Sequence, residues 1–222
     1  MIELFYWPTP NGRKVSIMLE ETKIKYKVTS INLGKEEQFK PEFLKINPYG
    51  KIPAIIDHEK DLVLIESGAI LIYLARKSNQ FLHKENEIRI FEWLMFQTGN
   101  VGPMLGQHHH FHHFNPGKSK YAEDRFFKNS IRVYEVLDKI LSKNNYLAGE
   151  DYSIADIATF PWITRHNWHD IGLKKYKHLS KWYEFISDRS AVKKGYDCSN
   201  TGDQIPKRSE ERRVGKECRS RW

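Results

Sequence analysis

A chain of 222 residues that is 40% hydrophobic, 13% aromatic and 29% charged has enough apolar surface to fold without staples, and its composition excludes fibrous, disordered and membrane-spanning classes. The net charge of +8 raises nucleic acid as a partner, but residues 207–222 hold seven Lys or Arg against three Glu, half of the excess. A basic end on a nearly balanced body does not make a nucleic-acid groove, so no nucleic-acid partner is expected.

The first strand is expected at residues 2–7 (IELFYW), β-prone and mostly apolar. A helix over 11–22 follows, with Val15, Ile17, Met18 and Leu19 in its apolar pattern and Asn11 as its N-cap. A second strand fits 26–33 and a second short helix 41–46, closed by the turn signal Asn47-Pro48-Tyr49-Gly50. Residues 51–67 (KIPAIIDHEKDLVLIES) read as two short strands around a polar turn at 58–61, hence a hairpin. Ser67 then opens a third helix through Lys77, with Ile70, Leu71 and Leu74 on its apolar face.

Beyond Glu87 strand signals nearly vanish, and helical patterns run over 87–105, 121–141, 154–166 and 179–187. Alternation followed by helices alone predicts two domains, 1–78 and 87–200, an α/β unit joined to an all-α one. The start of the third of these helices is marked by a capping box, Ser153 to Asp156, with Tyr152 and Ile157 as its hydrophobic staple. The end of the chain, 207–222, is expected to be a non-native basic tail and is set apart from the fold.

Two cysteines, Cys198 and Cys218, make no CxxC and no zinc ligand set, which suits a reducing cytoplasm. The start of the chain lacks a signal-peptide pattern, and its longest apolar run, 69–75, is too short to span a bilayer, so no membrane partner is expected. The run QHHHFHHF puts His108 and His112, and His109 and His113, four residues apart, a spacing that suits metal sharing on a helix. Neither pair has a third ligand nearby and no HExxH order is present. The run therefore reads as the wall of a substrate pocket and not as a metal site.

The unit order, with Ile52-Pro53 entering the third strand, Glu66-Ser67 opening the third helix and YSIAD in the helical part, resembles a cytosolic glutathione transferase over roughly residues 1–200. PTPNGRKV, LGKEEQFKPEFLKINPYGKIPAI, ESGAILIYLA, GPMLGQHHHF and YSIADIA narrow the resemblance to the Nu class, whose members act mainly as glutathione-dependent disulfide reductases. The resemblance implies a thioredoxin-like N-terminal domain that binds glutathione, a C-terminal helical domain, a homodimer and small thiol and disulfide substrates. Phe91, Trp93 and Phe96 fit either the dimer interface or the core.

It also implies site residues. A cis peptide before Pro53 would turn the Ile52 backbone out as an edge for the cysteinyl part of glutathione. Glu66 and Ser67, at a helix N-terminus, would receive the γ-glutamyl group. Gln38 corresponds to a glutamine at the glycyl end, and Arg125, or Arg132 one register away, to an arginine aimed at glutathione. The strand end carries no family cysteine or serine, and Tyr6 lies inside the strand. Thr9, Asn11 and the helix N–H groups are left to stabilise the ligand's thiolate. Cys198 reads as part of a frayed C-terminal region, too distant to act as nucleophile. Two other readings of the same site stay open: a conventional transferase or peroxidase acting on electrophiles or hydroperoxides, and a non-catalytic glutathione-fold binding protein.

Overall fold

The computed structural model describes residues 1–207, so the basic tail from Arg208 onward and Cys218 lie outside the described residues. The elements run β1 (Ile2–Tyr6), α1 (Pro10–Thr22), β2 (Tyr26–Ser30), α2 (Pro41–Leu44), β3 (Ala54–Asp57), β4 (Leu62–Ile65) and α3 (Ser67–Ser78). Helices follow: α4 (Glu87–Phe96), α5 (Gly102–His108), α6 (Lys120–Leu141), α7 (Ile154–Ile163), α8 (Lys177–Ser187) and α9 (Ser190–Tyr196). The strands form one mixed sheet in the order β2-β1-β3-β4. β1 is parallel to β2 and antiparallel to β3, and β3 and β4 form the expected hairpin. This is a thioredoxin-like sheet unit followed by helices alone.

Burial explains the elements. Ile2, Leu4 and Tyr6 of β1 and Val15, Ile17, Met18 and Leu19 of α1 are almost fully buried in one cluster that continues through α3, α4, α6, α7 and α8. Phe5, Ile31, Phe43, Ile52 and Ala54 form a smaller cluster on the other side of the sheet. No helix among the described residues is long and apolar enough to cross a membrane.

Four expectations change. Helix α1 starts at Pro10, and its N-cap is Thr9, not Asn11: Thr9 Oγ1 accepts from Gly12 N at 3.2 Å, and proline suits the first helical position because it has no N–H to leave unpaired. The helix expected over 87–105 continues to Phe114, with π-helical turns at Gln97–Val101 and His109–Phe114. Helix α7 stops at Ile163, and turns carry the chain from there to Asp170. The C-terminal region is docked, not frayed. Residues 190–196 form α9, and Gly195 crosses α1 so closely that a Cβ there would lie 2.5 Å from Ile17 Cα. Ser16 Oγ donates to Gly195 O at 2.6 Å, while Arg13 donates to Tyr196 O and pairs with Asp203 at 2.6 Å.

Candidate functional site

The register Phe5↔Ala54 and Ala54↔Ile65 brings three loops to one end of the sheet: 7–9 after β1, 52–53 before β3, and Glu66 after β4. A fourth joins them, because Gly50, at φ +64, passes within 3.2 Å of the Gln38 carbonyl measured from its would-be Cβ. Thr9, Asn11, Gln38, Ile52, Pro53, Glu66 and Ser67 therefore share one end of one layer.

Backbone geometry opens this end. The Ile52-Pro53 peptide is cis, and β3 begins only at Ala54, so Ile52 lies outside the ladder. Glu66 takes φ +64 and ψ +110, a conformation that costs a non-glycine residue on the order of 1–3 kcal/mol and is kept where surroundings or function over-determine it. Neither α1 nor α3 carries an acid in its first turn, and Glu66, the N-cap of α3, makes no side-chain capping bond, so the first-turn N–H groups of α3 are left for an anion. Gln38 Oε1 is buried without a partner, an acceptor that a bound amide or ammonium would satisfy.

Helix α7 clamps the 7–11 loop from the other side. Trp162 Nε1 donates to Asn11 Oδ1 at 3.1 Å, and Arg165 donates to the Pro8 carbonyl at 3.2 Å while lying over the Trp168 ring. An indole N–H can only donate, so it must meet the amide oxygen, and the Asn11 NH₂ is turned the opposite way as a donor. The seat for Trp162 is cut by two glycines one helical turn apart on α5. A Cβ on Gly102 would lie 3.4 Å from Nε1, and one on Gly106 would lie 3.3 Å from the indole ring. Gly12 is as constrained, because a Cβ there would meet the Trp7 carbonyl at 2.3 Å.

Lysine 14, which nothing in the motifs singled out, lies beneath the same end. It is 2% exposed, and its Nζ donates to Gln97 Oε1 at 2.6 Å and to Ser67 Oγ at 3.2 Å. Burial pulls its pKa down to about 7, partly offset by Glu66. Tyr6 is also buried, its hydroxyl turned into the core toward Cys198 and held un-ionised by that burial. Cys198 sits half-buried in the docked segment, and burial pushes its thiol pKa up despite Ser16, Tyr6 and Arg13. A thiol kept protonated is a poor nucleophile.

Arg125 and Arg132 are exposed on α6, where Arg125 donates to the Tyr121 hydroxyl at 3.4 Å. Helix α6 packs on α5 and α8, and no described contact brings either guanidinium to the Thr9, Ile52 and Ser67 group. Two histidines of the run turn inward. His108 Nε2 meets the His169 carbonyl at 2.8 Å, and His109 stacks on His169 at 4.5 Å and on Trp162 at 6.3 Å. Burial, with Arg165 nearby, lowers the His109 pKa to about 3, so it packs as a neutral ring. His112 instead pairs with Asp170 at 2.6 Å. Among the described residues no three His, Cys, Asp or Glu side chains are grouped to hold a metal.

Sequence spacing could have pointed to Trp162 only through the paired glycines of GPMLG, which promise a close neighbour without naming it. Arg165 and Lys14 carried no such signal.

Comparison with known proteins bears on this site. Residues 1–76 match the glutathione S-transferase N-terminal domain and residues 101–189 the corresponding C-terminal domain. The chain is 44% identical over 211 residues to the disulfide-bond oxidoreductase YfcG of Escherichia coli, covering 92% of this chain and 98% of that protein. A glutathione transferase from Burkholderia graminis, solved with two glutathione molecules per subunit, superposes with a TM-score of 0.86 at 38% identity, covering 90% of this chain and 89% of the other. One from Pseudomonas putida, solved with one glutathione disulfide per subunit, gives 0.83 at 39% identity, covering 88% and 90%.

Proposed function

The chain belongs to the glutathione transferase family, and from that premise we propose that it is a glutathione-dependent disulfide-bond reductase that brings no cysteine of its own to the reaction. The observation that carries this reading is the orientation of Asn11. Its amide NH₂, the Thr9 hydroxyl and the Asn11 backbone N–H, left free by Pro10 and the Thr9 cap, are donors turned to one end of the sheet, while burial holds Tyr6 and the half-buried Cys198 thiol in their protonated forms. A site made of donors stabilises an anion and does not supply a nucleophile.

The residues present fit a γ-Glu-Cys-Gly tripeptide. Glu66 and Ser67 would hold the γ-glutamyl end, the Ile52 backbone beside Pro53 the cysteinyl peptide, and Gln38 the glycyl end. Arg125 and Arg132, both exposed on α6, would be left to approach the ligand from the helical side. When bound, glutathione supplies the sulfur chemistry: one disulfide and two glutathiones give two thiols and glutathione disulfide. Thr9, Asn11 and the α1 N-terminus hold the sulfur as thiolate, lowering its pKa by about 1–2 units, the range of a helix N-terminus with added hydrogen bonds. The α7 clamp fixes the loop that carries these donors, and Trp162 keeps the amide oxygen away from the sulfur.

The enzyme works in a reducing cytoplasm, with which the free Cys198 and a glutathione supply are both in keeping. It forms a homodimer through α4, which exposes Ile88 (77%) and Met95 (53%) seven residues apart on one face, beside half-buried Phe91, Trp93 and Phe96.

Turnover of 2-hydroxyethyl disulfide, chlorodinitrobenzene and cumene hydroperoxide, measured side by side with glutathione, tests the activity. Dominant disulfide turnover that survives Cys198→Ser is expected. Dominant turnover of the other two substrates, or loss of disulfide turnover in Cys198→Ser, would contradict it; binding without any turnover would make the chain a binding protein.

A further inference from the structure

We propose that Lys14 is a positioning residue for the carboxylate end of glutathione: by donating to Ser67 Oγ from below, its ammonium leaves the Ser67 proton only the ligand to donate to, and supplies that carboxylate with a buried countercharge. The inference rests on the glutathione reading of the site.

Three observations carry it. First, an ammonium 2% exposed makes no ion pair among the described residues, although a buried unpaired charge is costly. Its two partners, Gln97 Oε1 and Ser67 Oγ, are neutral. Second, an ammonium has donors only, so the Ser67 oxygen must act as acceptor toward it, and the serine's own proton is directed elsewhere. Third, Ser67 is the first residue of α3, next to the strained Glu66, at a helix end whose first turn has no acid. A carboxylate placed there would meet the Ser67 hydroxyl, the α3 N–H groups and, behind them, the Lys14 charge.

The position also explains the cost. Lys14 links α1 to α3 and, through Gln97, to the π-helical turn between α4 and α5, so the binding end and the helical part share one polar node. A hydrocarbon side chain of similar length would pack there without a charge to bury; what it would lose is the oriented hydroxyl.

A pH signature follows, because burial already brings Lys14 close to losing its proton at neutrality. Among the described residues Glu66, on α3, is the titratable group that acts on it; Ser67 and Gln97 do not titrate, and neither α7 nor α9, both packed on α1, brings a charge to bear. The protonated lysine binds the carboxylate, so affinity is highest below pH 7 and falls as pH rises through it, by about tenfold between pH 6 and pH 8.

The test is calorimetric titration of the full chain with S-methylglutathione, whose capped sulfur cannot titrate. Wild type is expected to lose about tenfold in affinity from pH 6 to pH 8. At pH 6, Lys14→Met and Ser67→Ala are each expected to weaken binding about tenfold or more, and the double variant no further than the weaker-binding single one, because the two act as a unit. A Lys14→Met protein that binds as tightly as wild type, or effects that multiply independently, would overturn the inference. The wild-type pH profile needs no variant to fold, and a flat profile overturns it as well. Absence of binding by wild type at every pH would instead strike the glutathione reading itself.

Discussion

On the proposed mechanism the residue that decides the chemistry is Asn11, and what would make it decisive is a neighbour 151 positions later. A free carboxamide can present oxygen or nitrogen to a ligand with little difference in energy; the Trp162 indole breaks that symmetry by claiming the oxygen at 3.1 Å. Trp162→Phe keeps an aromatic ring in the seat between Gly102 and Gly106 but frees the amide to rotate. A net hydrogen bond is worth about 0.5–1.5 kcal/mol, so the variant is expected to lose about three- to tenfold in kcat for disulfide reduction while remaining folded. Steady-state kinetics at saturating glutathione, with a thermal melt alongside, measure both. The sequence offered Thr9 and Asn11 as donors from their place between a strand and a helix. It reversed which of them caps α1, because Pro10 can occupy the first helical position and Thr9 is as good a cap as asparagine. The orientation of the amide was beyond reach, since it depends on a side chain brought in from another element.

Among elements, those whose pattern is local were legible and those set by close approach were not. The β3–β4 hairpin, α3 and the capping box at α7 follow from alternation, 3.6-residue spacing and the Ser153–Asp156 pair, and all appear. The box does more than cap. The Asp156 carboxylate accepts from Ser153 N, Ser153 Oγ, Leu147 N and Trp182 Nε1, with no donor left over for a neutral amide to replace. Asp156→Asn would set an NH₂ against these donors, and a loss of about 2–4 kcal/mol is expected in urea unfolding. Helix α9 was missed because seven residues with two lysines and a glycine carry a weak amphipathic signal; its docking depends on Gly195 allowing contact with the α1 backbone. Gly195→Ala must push α9 off α1, and a drop in Tm of several degrees is expected. The β3 end carries a pH dependence of its own. Burial raises the Asp57 carboxyl, but Lys77, at 2.8 Å, Tyr73 and Glu59 N outweigh it and bring the pKa down to about 2. That stabilisation is complete above the unfolded value near pH 4 and is lost as pH falls through about 2, so Lys77→Met should flatten the acid limb of the stability curve while wild type keeps it.

For the whole molecule, the two parts of the chain work as one device. The sheet unit supplies the loops and helix ends of the site, while α7, held between α5 and α1, fixes the loop from outside, and the C-terminal segment locks α1 through Arg13 and Ser16. The division into an α/β part and a helical part was plain from the change of periodicity after Glu87, but the clamp between them was not, because Trp162 and Arg165 meet residues 7–11 only in three dimensions. The exposed apolar face of α4 is proposed for the dimer; wild type is expected to sediment as dimers, and replacing Ile88 and Met95 together by lysine is expected to give monomers by sedimentation velocity. The state of the bound sulfur is the most direct test of a site that stabilises a thiolate. Ultraviolet titration of glutathione bound to wild type, Asn11→Ala and Trp162→Phe, followed at the thiolate absorbance, is expected to give a thiol pKa in wild type about 1–2 units below that of the free ligand. It is expected to return most of the way in Asn11→Ala and part of the way in Trp162→Phe. An unshifted pKa in wild type, or the same shift in all three proteins, would contradict it.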